Sequence, residues 1–346
     1  MINLRMILLN LLLLAFLPSA QVWAQTNEVS EVAGETQMPS ELVDISQTTD
    51  ANKLLALSPE EHAERQVQET SLTPLGYQLN AMNPSVLADF YSHLLGMHLI
   101  ESDETAEYYA LGNAAGEILL EIFPAVAERS EATTGLYHGA FLFDSEVEFG
   151  TVLAQLLENR APMQGYSHHG YSQAAYLGDI EGNSIELYLD TPSTSWQVDE
   201  FGYKKGANNA LDITPFLLQR SEDFTGFGEG VKLGHFHLSV QTIADTEWFY
   251  GEVLGLGQSS APTSDTAFFA TGDYHHYLGS NTWLGENLSA PTEGLQGLRA
   301  TIWQAGSADD IAYILSQLDA AEISYEESDK ELIMLDNSGL KVIIRK

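Results

Sequence analysis

The chain repeats itself, and the repeat limits the fold more than any other feature. "LADFYSHLLGMHLI" (87–100) and "TEWFYGEVLGLGQS" (246–259) share Phe-Tyr, three intervening residues, then Leu-Gly. Each follows a strand-like stretch, "LGYQLNAM" (75–82) or "LGHFHLSV" (233–240), and a helix-start signal at Asn83-Pro84 or Thr242. A second pair matches as well. "SEVEFGTVLAQLLENRAP" (145–162) and "SADDIAYILSQLDAAEIS" (307–324) have the period of amphipathic helices. Both lead into a strand, an Asp, a Gly-containing turn and another strand, "YLGDIEGNSIELYL" (176–189) and "MLDNSGLKVIIR" (334–345). Four units follow, near 73–124, 135–190, 231–285 and 295–346, odd resembling odd and even resembling even. A helix followed by several short antiparallel strands implies an α+β fold whose strands curl into an open barrel. Residues 191–230, with Pro192 and many polar side chains, read as a linker.

The region before the first unit differs in kind. Arg5, the apolar run Met6–Leu17 and the small-residue site Val22-Trp23-Ala24 predict a signal peptide over 1–24, hence export to the periplasm or beyond. Residues 25–72 read as an acidic, polar, mobile leader with a helical turn from Pro59 through Gln66. Lys+Arg is 14 against Asp+Glu 49, a net charge of −35, which repels nucleic acid and anionic lipid. No stable membrane insertion is expected once the signal is cleaved. There is no cysteine, so disulfides and thiolate chemistry are excluded.

Candidate chemistry starts from Glu186, a carboxylate in the middle of the apolar strand "SIELYLD". Alternation puts Ile185, Leu187 and Leu189 on one face and Glu186, Tyr188 and Asp190 on the other. An ionised carboxylate inside a protein requires a cation or donors; a wet face would instead leave Glu186 solvated. His138 in "LYHGAFLF" lies opposite Phe141 and Phe143, and His235 and His237 lie opposite Phe236 and Leu238. A lone histidine on such a strand is more often a core residue than a ligand. Two imidazoles and one carboxylate on one side of Fe(II) would leave positions open for substrate and oxygen. His168-His169 reads on its own as a polar loop, and His275-His276 as one buried and one exposed histidine. Trp248, Phe268, Tyr274 and Trp283 suit either a pocket lining or the core, with Trp248 assigned to the core.

The stretches "GLYHGAFLF", "HHGYSQAAYLGDIEGNSIELYLD", "LGHFHLSV" and "GDYHHYLGSNTW", in that order, resemble the vicinal oxygen chelate superfamily of glyoxalases, bleomycin-resistance proteins and ring-cleaving dioxygenases. Within it they are similar to extradiol enzymes of catechol 2,3-dioxygenase type. The resemblance covers about 73–346. It implies four βαβββ units forming two cup-shaped modules, tandem over 73–190 and 231–346. It implies metal ligation by His138, Glu186 and His235, with His169 as acid/base, Tyr176 bonding a substrate oxygen and His276 facing the oxygen-binding side. The implied metal is Fe(II), with Mn(II) or Zn(II) as alternatives; the implied partners are a small aromatic diol and O2, with a homo-oligomer allowed. In the extradiol pattern the His-first unit precedes its partner, whereas here the Glu-bearing second unit precedes the third. A complete site therefore requires units two and three to face each other, leaving one and four as a second pair. In that second pair Tyr77 stands where the first histidine belongs, with Arg299 to Thr301 and Ile343 at the other ligand places. Two rival functions fit the same superfamily: a Zn or Ni lyase or isomerase of glyoxalase type, and a cup that binds a small aromatic without catalysis.

Overall fold

The computed structural model describes residues 57–346 except Ala106. The signal peptide 1–24 and the leader up to residue 56 lie outside the described residues. The first run is β1 (Thr73–Ala81), α1 (Pro84–Asp89), β2 (His98–Ser102), β3 (Tyr109–Gly112) and β4 (Ile118–Pro124). The second is β5 (Gly135–Phe143), α2 (Glu146–Glu158), β6 (Met163–His168), β7 (Ser172–Gly178) and β8 (Ser184–Asp190). A short strand β9 (Asn209–Ala210) and helix α3 (Thr214–Gln219) follow within 191–230. The third run is β10 (Lys232–Ser239), α4 (Ile243–Thr246), β11 (Gly257–Gln258), β12 (Thr266–Ala270) and β13 (Leu278–Asn281). The fourth is β14 (Gly297–Gln304), α5 (Ala308–Ala320), β15 (Tyr325–Glu327), β16 (Glu331–Leu335) and β17 (Lys341–Arg345).

These strands form two mixed sheets. One has the order β15-β16-β17-β14-β1-β4-β3-β2, the other β11-β12-β13-β10-β5-β8-β7-β6-β9. The second and third runs thus share a sheet through the antiparallel pair β5–β10, and the first and fourth through β1–β14. Alternation sorts the side chains as expected. Phe141, Phe143, Ile185, Leu187, Phe236 and Leu238 join the large buried cluster that also includes Phe149 of α2 and Ile314 of α5. Ala140, Leu142, Ala174 and Tyr188 form a separate small cluster on the other face of their sheet. Burying each large apolar side chain stabilises the fold by about 1.5–3 kcal/mol.

The Phe-Tyr repeats occupy π-helical turns, Phe90–Leu95 after α1 and Glu247–Val253 after α4. Gly96, at φ 92°, supplies the left-handed residue that closes the first of them. The wide turn carries the tyrosine inward. Tyr91 donates to Asp179 at 3.0 Å, and Tyr250 to Asp336 at 2.9 Å. Each aspartate also accepts backbone N–H groups of its own Gly-containing turn. The Phe-Tyr repeat and the Asp-turn repeat are therefore two halves of one contact. Trp248, assigned above to the core, is 39% exposed, because the same turn points Phe249 and Tyr250 inward.

Three further expectations are corrected. The leader is not mobile over 57–72. Pro59–Arg65 form a helix capped by Ser58 and Glu61, and His62 stacks on Phe201 at 3.9 Å. Beyond it, Thr70 donates to the Leu254 carbonyl and Ser71 to Asp310. Nor is 191–230 a plain linker: Phe227, Tyr203 and Phe216 are buried. In the β1–β14 sheet, the ladder place of the first histidine falls on Gly76 rather than Tyr77. Gln78 pairs with Ala300 and Glu121, as Ala140 pairs with His235 and Glu186. Two residues earlier, Gly76 stands where β5 has His138. A register irregularity between Pro74 and Gly76 shifts the alternation, and Tyr77 is wholly buried. This sheet thus has Gly76 and Ala300 at the two histidine places, and at the two outer places Ile343, which pairs with Ile302 as expected, and a carboxylate, Glu121, which pairs with Gln78. Gln78 and Tyr108 donate to Glu121 at 3.0 and 2.8 Å.

Burial pushes the Asp336 carboxyl up to about 6 from 3.8. The folded chain then holds that proton more tightly than the unfolded chain. This contribution to stability is complete below pH 3.8 and is lost as pH rises through about 6. Urea unfolding of wild type and Asp336→Asn across that range will show wild type losing up to about 3 kcal/mol relative to the variant. A difference independent of pH would mean that Asp336 is not a strained carboxylate.

Candidate metal centre

The site is assembled by three adjacent strands. Ala140 of β5 is the ladder partner of both His235 on β10 and Glu186 on β8, and His138 is the partner of His237. Because Ala140 is small, the longer side chains on either side meet above it. His138 Nε2 lies 3.1 Å from Glu186 Oε2, His235 Nε2 lies 3.2 Å from the same oxygen, and the two nitrogens are 3.4 Å apart. Two glycines let tyrosines pack closely against these strands, Gly139 on the core face and Gly234 beside His235. A Cβ at Gly139 would come within 2.7 Å of the Tyr77 ring, and one at Gly234 would collide with the Tyr188 hydroxyl.

His138, Glu186 and His235 are 6%, 3% and 2% exposed, and together they could hold a metal ion. Ligands about 2.0–2.2 Å from one ion and about 90–110° apart are themselves roughly 3.0–3.4 Å apart. The three separations match that spacing, so the residues fit a divalent cation. The charge states suit it too. Burial works against an ionised Glu186, but the His235 and His138 imidazoles outweigh it and hold the carboxyl well below its usual range. Burial pushes His235 down to about 4 despite the pull of Glu186. An ionised Glu186 and an unprotonated His235 are the states a metal requires of those two ligands.

The surrounding groups form two hydrogen-bonded lines. On one side, Tyr176, the ladder partner of Glu186, places its hydroxyl 2.7 Å from His169 Nε2. His169 Nδ1 lies 2.9 Å from the Ala207 carbonyl and must donate to it, so Nε2 accepts from Tyr176. Burial and then Glu186 push the Tyr176 hydroxyl well above its usual pKa. On the other side, His276 packs against His235 with ring centroids 4.3 Å apart, and its Nδ1 meets His275 Nδ1 at 2.9 Å. His275 Nε2 reaches Asp190 at 2.8 Å. His275 and His276 are 1% and 6% exposed, so the expectation of one exposed histidine fails. The strand rule that predicted it does not apply, since both precede β13. Burial holds His276 well below the usual histidine range.

Aromatic rings complete the surroundings. Tyr137 and Trp283 pack within 5.6 Å of the His237 ring centroid, and Phe268 lies 5.8 Å from it. Tyr274 lies against His275. Sequence reasoning missed the roles of His275, Tyr171 and the Ala207 carbonyl. For Ala207 no signal existed, because a main-chain acceptor from 191–230 has no signature in residue type. His237 had a signal, sharing the His235 face, and its buried Nε2 has no partner.

Comparison with known proteins agrees with this architecture. Residues 76–187 match the family model of the Glyoxalase/Bleomycin resistance protein/Dioxygenase superfamily. The chain is 30% identical over 268 residues to the catechol-2,3-dioxygenase of Bacillus subtilis (strain 168), covering 76% of this chain and 94% of that protein. It is 28% identical over 114 residues to biphenyl-2,3-diol 1,2-dioxygenase 3 of Rhodococcus globerulus, covering 31% of this chain and 58% of that one. A solved structure of a proposed dioxygenase from Bacillus subtilis subsp. subtilis str. 168 shares the fold, with a TM-score of 0.57 and 14% identity over 80% of this chain and 86% of that one. The chain belongs to the Glyoxalase/Bleomycin resistance protein/Dioxygenase superfamily.

Titration of the metal-free chain with Co(II) or Zn(II) will give one tight site in wild type. Glu186→Ala will weaken it by roughly 100-fold or more, since an anionic ligand is lost outright. Equal affinity in both would move the site elsewhere.

Proposed function

We propose that the protein is an extradiol ring-cleaving dioxygenase that opens a catechol-like aromatic diol, with a non-haem Fe(II) held by His138, Glu186 and His235. The observation that carries this reading is the buried convergence of two imidazoles and one carboxylate, flanked by His169–Tyr176 on one side and His276 on the other. Similarity to the two diol dioxygenases supports it. Bound Fe(II) would supply a Lewis acid that acidifies a diol hydroxyl and a redox centre through which the ring and O2 can react.

The protein's own groups supply position and proton traffic. Tyr176, already turned towards His169, orients a substrate oxygen beside Glu186. A proton leaving the diol can pass through the Tyr176 hydroxyl to His169 Nε2, which the Ala207 carbonyl keeps as an acceptor. Returning that proton to the departing oxygen later in the cycle is the same path run backwards. His276 stands on the His235 side, placed to hydrogen-bond a protonated oxygen of the reacting pair. Tyr137, Phe268 and Trp283 offer apolar faces to an aromatic ring and displace water around it. A glyoxalase-type reading would call for a second carboxylate ligand, and the group of three contains only Glu186.

Protein purified anaerobically and loaded with Fe(II) will turn catechol and O2 into a yellow ring-opened product. Glu186→Ala will give no colour. Tyr176→Phe and His169→Gln will each lower kcat by about 10²-fold, with smaller changes in KM. Equal colour from wild type and Glu186→Ala would remove the site assignment.

A further inference from the structure

Asp190 and His275 have no part in the reaction outlined above, yet an unbroken line of hydrogen bonds joins them to His276. Asp190 Oδ1 lies 2.8 Å from His275 Nε2, and His275 Nδ1 lies 2.9 Å from His276 Nδ1. The Tyr274 hydroxyl also donates to Asp190 Oδ1, at 3.3 Å, and lies 2.9 Å from the Tyr188 hydroxyl. His275 is fixed in orientation by stacking on Tyr171 at 4.4 Å and 11° and by packing on Tyr274 at 4.1 Å.

This line determines where hydrogens sit. A carboxylate only accepts, so His275 Nε2 must be the donor. A protonated His275 would donate from Nδ1 and leave the His276 hydrogen on Nε2; a neutral His275 has a single N–H, already given to Asp190, and its Nδ1 is then an acceptor. Two bare nitrogens would repel at 2.9 Å, so the hydrogen between the rings comes from His276 Nδ1. His276 Nε2, on the far side of its ring, is then a lone pair.

We propose that Asp190, acting through His275, holds His276 in its Nδ1–H tautomer, so that His276 Nε2 accepts a hydrogen bond from a protonated oxygen of the bound diol or its oxygenated product. The role in catalysis rests on the dioxygenase reading of the site; the tautomer itself does not. Asp190 and His275 are positioning residues, because they act through His276. In Asp190→Asn the amide can donate to His275 Nε2, which reverses both tautomers and puts a hydrogen on His276 Nε2. An Asp→Asn change leaves the histidine of a Ser-His-Asp triad in the wrong tautomer in the same way.

The test uses the full chain labelled with 15N at histidine and loaded with diamagnetic Zn(II). Long-range 1H–15N spectra, with His276 assigned by its loss in His276→Gln, will show a protonated Nδ1 and a bare Nε2 in wild type. In Asp190→Asn they will show the reverse. In the Fe(II) protein, Asp190→Asn will lower kcat roughly tenfold or more, with KM within about twofold. Adding it to His276→Gln will cause no further loss. A protonated His276 Nε2 in wild type, or a pattern indifferent to Asp190→Asn, would overturn the relay. Additive losses in the double variant would overturn its action through His276. The expected spectra from a wild type that fails to open catechol would uphold the relay and sink only the dioxygenase reading.

Discussion

A carboxylate with 3% exposure has to be compensated, and the arrangement around Glu186 follows from that requirement. Removing a charge from water costs several kcal/mol unless opposite charge or donors replace the water. At Glu186 the replacements are two imidazole nitrogens that reach it from strands on either side of Ala140. The β1–β14 sheet faces the same demand at Glu121 and meets it differently, with an amide and a phenol. A carboxylate satisfied by neutral donors is structural, whereas one that converges with two imidazole nitrogens at 3.1 and 3.2 Å can serve as one member of a ligand set, with a cation as its compensating charge. The ladder places are the same; Gly76 and Ala300 in place of His138 and His235 make the difference.

The repeats acquire a physical meaning in the same framework. Tyr91 of the first run reaches Asp179 of the second, and Tyr250 of the third reaches Asp336 of the fourth. Neighbours in sequence are thus tied through a π-helical turn and an aspartate turn, while the sheets pair the second run with the third and the first with the fourth. Each run has one partner along the chain and another across a sheet. The alternation of odd and even repeats is the sequence trace of those two kinds of contact.

Much of this could be read from residue order alone. Strand alternation set Glu186, His138 and His235 apart from the apolar face of their own strands; the resemblance to extradiol enzymes made them one ligand set, and completing that set required the second run to face the third. What escaped had a different physical origin. The place of Tyr77 was misjudged because a local irregularity in β1 changes which residue faces the hollow, and alternation has no memory of bulges. His275 and His276 were judged by strand parity, although both lie before the strand begins and are buried. Residues 57–72 and 191–230 looked polar and loop-like, yet scattered side chains such as His62, Thr70, Phe216 and Phe227 fix them to the body. Such contacts depend on tertiary surroundings and leave no periodic signal.

The β5–β10 join has a consequence for folding. His138 and His235 are 97 residues apart in the chain, and the numbering separates His138 from Glu186 by 186 − 138 = 48. Bringing such distant points together costs loop entropy, which a shared ion helps to offset. A cation seated there would rivet two lengths of polypeptide made far apart in time on the ribosome. Metal supply and conformational integrity would then become a single variable, with starvation for the ion felt first as a loosening of the molecule.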